Sequence, residues 1–247
     1  MTLIDAARLA TDIATLATLV EPHTRGTTRR AFTDTYRDSR AWVRALMQDA
    51  GLDVHMDAGG NLIGRLVGTH LDAPVIMLGS HTDTVMEGGR FDGAIGVLRA
   101  IAVVRALKAQ GIRLRRTIEV VDFMAEESTP LGSLFGSTAM AQGFTPAFLA
   151  RDIPAWGNVA ACIAAMGGQP ARLTQPLRRQ GEIAAYLELH IEQGGNLDKE
   201  KLNIGIVEGI VAIVRNDVTI EGFANHARSE EHTSELQSRQ YLVCRLL

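Results

Sequence analysis

Two apolar runs in this sequence stop abruptly on imidazole or carboxylate side chains, and this most limits the folds open to it. PVIMLGSH ends on His81, and TIEVVDFMAEE ends on Glu126 and Glu127. Short runs of Val, Ile and Leu without polar alternation read as strands buried on both faces, which belong to sheets covered by helices. Strands of this kind are expected at 61–66, 74–79, 117–123 and 184–189. Helical patterns separate them at 2–20, 34–50 and 93–110, with a looser one at 156–166. The alternation predicts an α/β domain with a mostly buried sheet flanked by helices. After Glu208 the pattern tightens into two short strands, 210–214 and 217–221, which would open a smaller α+β domain.

Composition supports a packed core and excludes some partners. Of the 247 residues 46% are hydrophobic, and the net charge is only −3. With a pI near 6.2, nothing marks a nucleic-acid or membrane-surface protein. No apolar run approaches the ~18–20 residues of a membrane span. Asp5 and Asp12 interrupt the apolar N-terminus, which reads as an amphipathic helix, not a signal peptide. Cys162 and Cys244 are the sole cysteines, a usage that fits a reducing, cytoplasmic setting.

The chemistry gathers where the strands end. In open α/β sheets, ligands bind at the carboxyl ends of strands. His81 falls there, and Asp83 has the residue type that fixes the tautomer of a metal-bound imidazole. Asp92 precedes the 93–110 helix; it reads either as that helix's N-cap or as a carboxylate able to bridge two cations. Glu126 and Glu127 repel unless a cation or proton compensates. The pair reads as a division of labour, with Glu127 a ligand and Glu126 a general base and acid; a solvated loop pair is the bland alternative. In AAYLELHIEQG, strand alternation places Tyr186, Glu188 and His190 on one face, making His190 a second strand-end imidazole. His81, Asp92, Glu127 and His190 each have a structural reading taken singly. Together they form a mixed His and carboxylate set suited to zinc, manganese or a similar divalent ion. His23, His55 and His70 read as surface residues and Cys162 as core.

The words GSHTDTV, GGRFDGAIGVL, FMAEEST, YLELHIEQG and GFANHA resemble the amidohydrolases that include N-carbamoyl-L-amino acid hydrolase and allantoate amidohydrolase, relatives of aminoacylases and di-zinc carboxypeptidases. The resemblance runs from about residue 27 to 227. It implies a di-metal peptidase-like catalytic domain over 1–210 and the first strands of a lid and dimerisation domain over 211–227. It further implies two divalent metal ions bridged by Asp92, with His81 and His190 completing one site and Glu127 serving the other. Asp83 would orient His81, Glu126 would move protons, and Gln193 would contact substrate. His226 would reach the active site of a partner subunit in a homodimer and steady the oxyanion. The implied substrate is a small N-carbamoyl or ureido acid. The family pattern breaks after Ala227, before a further metal-binding histidine and the rest of the lid. Residues 228–247 are therefore expected to be a non-native tail, and the chain as written to be inactive. A protein that keeps the scaffold only for binding is the competing reading; the presence of Glu126 and Asp92 weighs against it.

Overall fold

The computed structural model describes residues 4–210, and the chain divides into two units, Met1–Lys201 and Leu202–Leu247. The described residues of the second unit, 202–210, form no helix or strand. The expected strand at 217–221, all but the first residue of that at 210–214, His226 and the 228–247 tail lie outside the described residues.

The first unit is built on a five-stranded mixed sheet. Its strands are β1 (Asp53–Met56), β2 (Leu62–Leu66), β3 (Val75–His81), β4 (Ile118–Phe123) and, last in the chain, Ile183–Leu187. A two-stranded hairpin, β5 (Asp152–Ile153) with β6 (Gly157–Asn158), intervenes, so the fifth sheet strand is β7. The order is β1-β2-β4-β3-β7. β3 runs parallel to both β4 and β7, while β1 and β2 are antiparallel additions on the β4 side. Parallel neighbours need long crossovers. α3 (Ala94–Ala109) supplies the one from β3 to β4. The stretch from β4 to β7 holds α4 (Phe135–Ala141), α5 (Pro146–Leu149) and α6 (Val159–Ala165), and α7 (Asn196–Glu200) follows β7.

Helices cover both faces of the sheet's centre. On one face α1 (Ala6–Leu16), α2 (Asp34–Asp49) and α3 bury Leu16, Val43, Met47, Leu98 and Ile101 against Leu62, Ile118 and Val120. Each fully buried aliphatic chain of this kind contributes roughly 1.5–3 kcal/mol before entropy is subtracted. On the other, Met140 of α4 packs on Ile63, Met77, Val121 and Phe123. All six residues of β4 are buried, including Glu119 and Asp122, which interrupt its apolar residues and are paired with arginines. β7 departs from the expectation of a buried strand: Tyr186 and Leu187 are exposed, because β7 has a neighbour on one side only among the described residues.

The expected elements appear with trimmed ends. The N-terminal helix is shorter than 2–20 because Asp5 caps it, accepting the Arg8 N–H at 2.9 Å. Sequence periodicity missed β1 and α4, both too short to show a period. No described helix is long and apolar enough to cross a membrane.

One polar network sits inside this core. Arg40 donates through Nε to Asp122 Oδ2 at 3.0 Å and through a terminal nitrogen to the Gly60 carbonyl at 2.6 Å. Thr82 donates to both Asp122 oxygens at 3.0 and 3.1 Å, and Arg29 Nε donates to the Thr82 carbonyl at 2.7 Å. Buried charges are tolerated where every partner is supplied. Here the network holds the segment that leaves β3 with His81 and Asp83.

Candidate metal centre

His81 is the last residue of β3, and its ring is buried. Its Nδ1 lies 2.9 Å from the Asp83 main-chain carbonyl, so Nδ1 carries a proton, and in the neutral ring Nε2 is the nitrogen with the free lone pair. His190 is arranged the same way, with Nδ1 2.9 Å from the Ile191 carbonyl. Both imidazoles are thus set by backbone oxygens to offer Nε2. Strand alternation does not carry His190 there, because β7 ends at Leu187 and the residues beyond it are irregular.

Asp92 meets the two imidazoles. His190 Nε2 lies 3.2 Å from Asp92 Oδ1. One potential ligand atom from each of His81, Asp92 and His190 falls within 4.8 Å of the others, a spacing one divalent ion could span. The expected capping role of Asp92 is corrected: the N-cap of α3 is Gly93, and no side chain caps it. The Asp92 carbonyl accepts the Ala94 N–H at 2.6 Å, which leaves its carboxylate free for the cluster. Gly93 is required here twice over. Its φ is +62°, and a β-carbon would lie 2.4–2.6 Å from the His81 ring.

Asp83 does more than face His81. Its Oδ1 is 3.5 Å from His81 Nδ1, farther than its own carbonyl. The carboxylate instead accepts the main-chain N–H groups of Glu126 at 3.2 Å and Glu127 at 2.9 Å. Burial disfavours a charged His81, but the hydrogen bonds and charge of Asp83, with Glu127, outweigh it and hold the ring's pKa at about 9.

Glu126 and Glu127 follow β4 by way of Ala125, whose φ of +55° is strained for a residue with a side chain. Burial pushes the Glu126 carboxyl up to about 7, against two hydrogen bonds from Ser137 that favour its charged form. Burial also raises Glu127; Asp92 and Asp83 add to this, and His81 and His190 oppose it. Glu127 is not in the three-residue cluster, although it feels the charge of all three members. His81 and Glu126 line one cavity of about 550 Å3, walled by Ser80, Phe123, Ser137 and Tyr186.

Gln193 donates through Nε2 to both Asp92 oxygens at 3.3 Å, so it braces a cluster member. His23, His55 and His70 are exposed, as expected. Cys162 is only partly buried, its thiol donating to the Trp156 carbonyl at 3.3 Å. Sequence reasoning missed Ser137 and gave no role to the Glu188 carboxylate. The latter takes hydrogen bonds from Ser80 and, at 2.8 Å, from Tyr186.

The chain has counterparts among known proteins. The family model described as Peptidase family M20/M25/M40 matches residues 77–241. An N-carbamoyl-L-amino acid amidohydrolase of Geobacillus stearothermophilus is 42% identical over 203 residues, 82% of this chain and 50% of that protein. An allantoate amidohydrolase of Bacillus subtilis (strain 168) is 37% identical over 82% of this chain and 49% of its own length. A crystal structure of a hydantoinase/carbamoylase family amidase from Burkholderia ambifaria aligns with a TM-score of 0.70 at 35% identity. That alignment covers 80% of this chain and 48% of the other. The chain spans about half the length of the curated relatives it matches.

Proposed function

This chain belongs to peptidase family M20/M25/M40, and on that premise we propose that it is part of a hydrolase of linear C–N bonds in carbamoyl or ureido acids. The first substrate class is the N-carbamoyl-L-amino acids, giving the free amino acid, ammonia and carbon dioxide. The observation that carries the reading is the convergence of His81, Asp92 and His190 beside a cavity that also exposes Glu126. The His81, Asp92 and His190 donors suit zinc or manganese, and Asp92 and Glu127 would contribute to a second ion. Two divalent ions, when bound, would polarise the scissile carbonyl and acidify water.

This chain's own residues perform the rest. Glu126 takes the proton of the attacking water and returns it to the leaving nitrogen. Asp83 sets both glutamates through their backbone N–H groups, and Gln193 steadies Asp92 while contacting substrate. His226 supplies the oxyanion donor across a homodimer interface. The enzyme acts in the cytoplasm, in keeping with its sparse cysteines.

Allantoate hydrolysis is the second reading, supported by the Bacillus subtilis relative. Ammonia release from N-carbamoyl-L-amino acids and from allantoate, measured side by side on the metal-loaded full-length protein, separates the two. No bound divalent ion and no ammonia from either would sink both, and favour a scaffold kept for binding.

A further inference from the structure

Ser137 belongs to no ligand set, yet both carboxylate oxygens of Glu126 end on it. Its main-chain N–H donates to Oε1 and its hydroxyl to Oε2, each at 2.8 Å. The loop between the two residues is closed by backbone pairing, so neither end is free to drift. Leu134 N–H reaches the Glu126 carbonyl at 2.9 Å, Phe135 N–H that of Ala125 at 3.1 Å, and Gly136 N–H that of Met124 at 2.8 Å.

A glutamate side chain left free spreads over many rotamers, and ordering it costs entropy each time it must act. Two bonds to one fixed residue hold the carboxylate in a single rotamer and set the direction of its lone pairs. Each oxygen keeps a second lone pair that can face the cavity. We propose that Ser137 is the positioning residue of Glu126: its hydroxyl fixes the carboxylate plane for proton transfer without touching substrate. The proposal rests on the reading of Glu126 as the general base.

The competing explanation is structural. The N-cap residue of α4, Leu134, forms no side-chain capping bond, so Glu126 could serve only to cap that helix through the Ser137 N–H. The hydroxyl distinguishes the two. Any residue but proline at 137 supplies an N–H, whereas the hydroxyl of Ser or Thr adds the second donor, and Ser137 lines the cavity.

The test compares Ser137→Ala and Ser137→Thr in the metal-loaded full-length protein, reading kcat, KM, metal content and melting temperature with an N-carbamoyl amino acid and allantoate. Ser137→Ala is expected to lose roughly tenfold in kcat, a modest part of what a general base supplies. KM should stay within about twofold, since ground-state binding is untouched. Metal content should not change, and Ser137→Thr should recover most of the turnover. Wild-type kcat in Ser137→Ala, with or without a lower melting temperature, overturns the proposal alone. Loss of turnover in both variants together with loss of metal overturns it as well. Absence of turnover by the unsubstituted full-length protein removes the general-base reading, and the proposal with it.

Discussion

Asp83 Oδ2 accepts the Glu127 main-chain N–H at 2.9 Å, tying the segment after β3 to the segment after β4 at the point where both present chemistry. With the second bond to Glu126 N–H at 3.2 Å, one fully buried carboxylate spans the glutamate pair and the histidine loop. Asp83→Asn keeps the shape but turns an amide NH2 toward a backbone N–H. Leaving one buried donor unmet costs about 1–3 kcal/mol. A lower urea midpoint together with weakened metal retention is the expected result; unchanged metal affinity would argue that the glutamates are set by something else.

Glu126→Gln removes the base while leaving the His81, Asp92 and His190 cluster intact. Turnover should fall by roughly 10²–10⁴, the usual contribution of general-base catalysis. Metal content, read by elemental analysis, should stay near that of the unsubstituted protein. Metal lost along with activity would mean that Glu126 is a ligand and that the roles of the pair are reversed.

Gly93→Ala tests the close approach of α3 to His81. The new methyl would press on the ring, and φ of +62° disfavours any side chain there. Backbone strain of this kind costs on the order of 1–3 kcal/mol. The affinity for a divalent ion should drop more than stability does, because the ring that must move is a proposed ligand. Equilibrium dialysis beside thermal melts would show it; a melting change with unaltered affinity would count against His81 as a ligand.

Glu21 supplies a pH-dependent term away from the centre. Hydrogen bonds from the Arg30 side chain lower its pKa, with burial partly opposing, and the Arg30 backbone N–H adds at 3.0 Å. A carboxyl depressed in the folded state adds stability above its unfolded value of about 4.3, and that stability is lost as pH falls through the folded value. Glu21→Gln should therefore be less stable than the unsubstituted protein near neutrality, and the gap should close in acid. Urea midpoints across pH 3 to 7 check this, and a constant gap would contradict it.

Much of the layout could be read in one dimension. β3 opens on a continuous apolar run and β4 is apolar except at Glu119 and Asp122, a pattern that points to strands buried on both faces. His81, Glu126 and Glu127 were visible because charge directly after such a run is costly without a purpose. β1 and α4 were not legible, being too short for periodicity to rise above chance. Asp92 was half legible: its position before a helix was plain, but capping and ligation ask for the same residue type. The strained turn at Ala125 settles where Glu126 points, and its left-handed φ leaves no mark in an alanine.

The sequence by itself determined which side chains could do the chemistry and that they stand near strand ends, because residue type and apolar patterning are local properties. Only the tertiary structure decided how they are held. Asp83 reaches across to residues more than forty positions away, and Ser137 closes on Glu126 over a loop. Such hydrogen bonds depend on where two segments meet in space, and nothing in either segment's own pattern encodes that meeting.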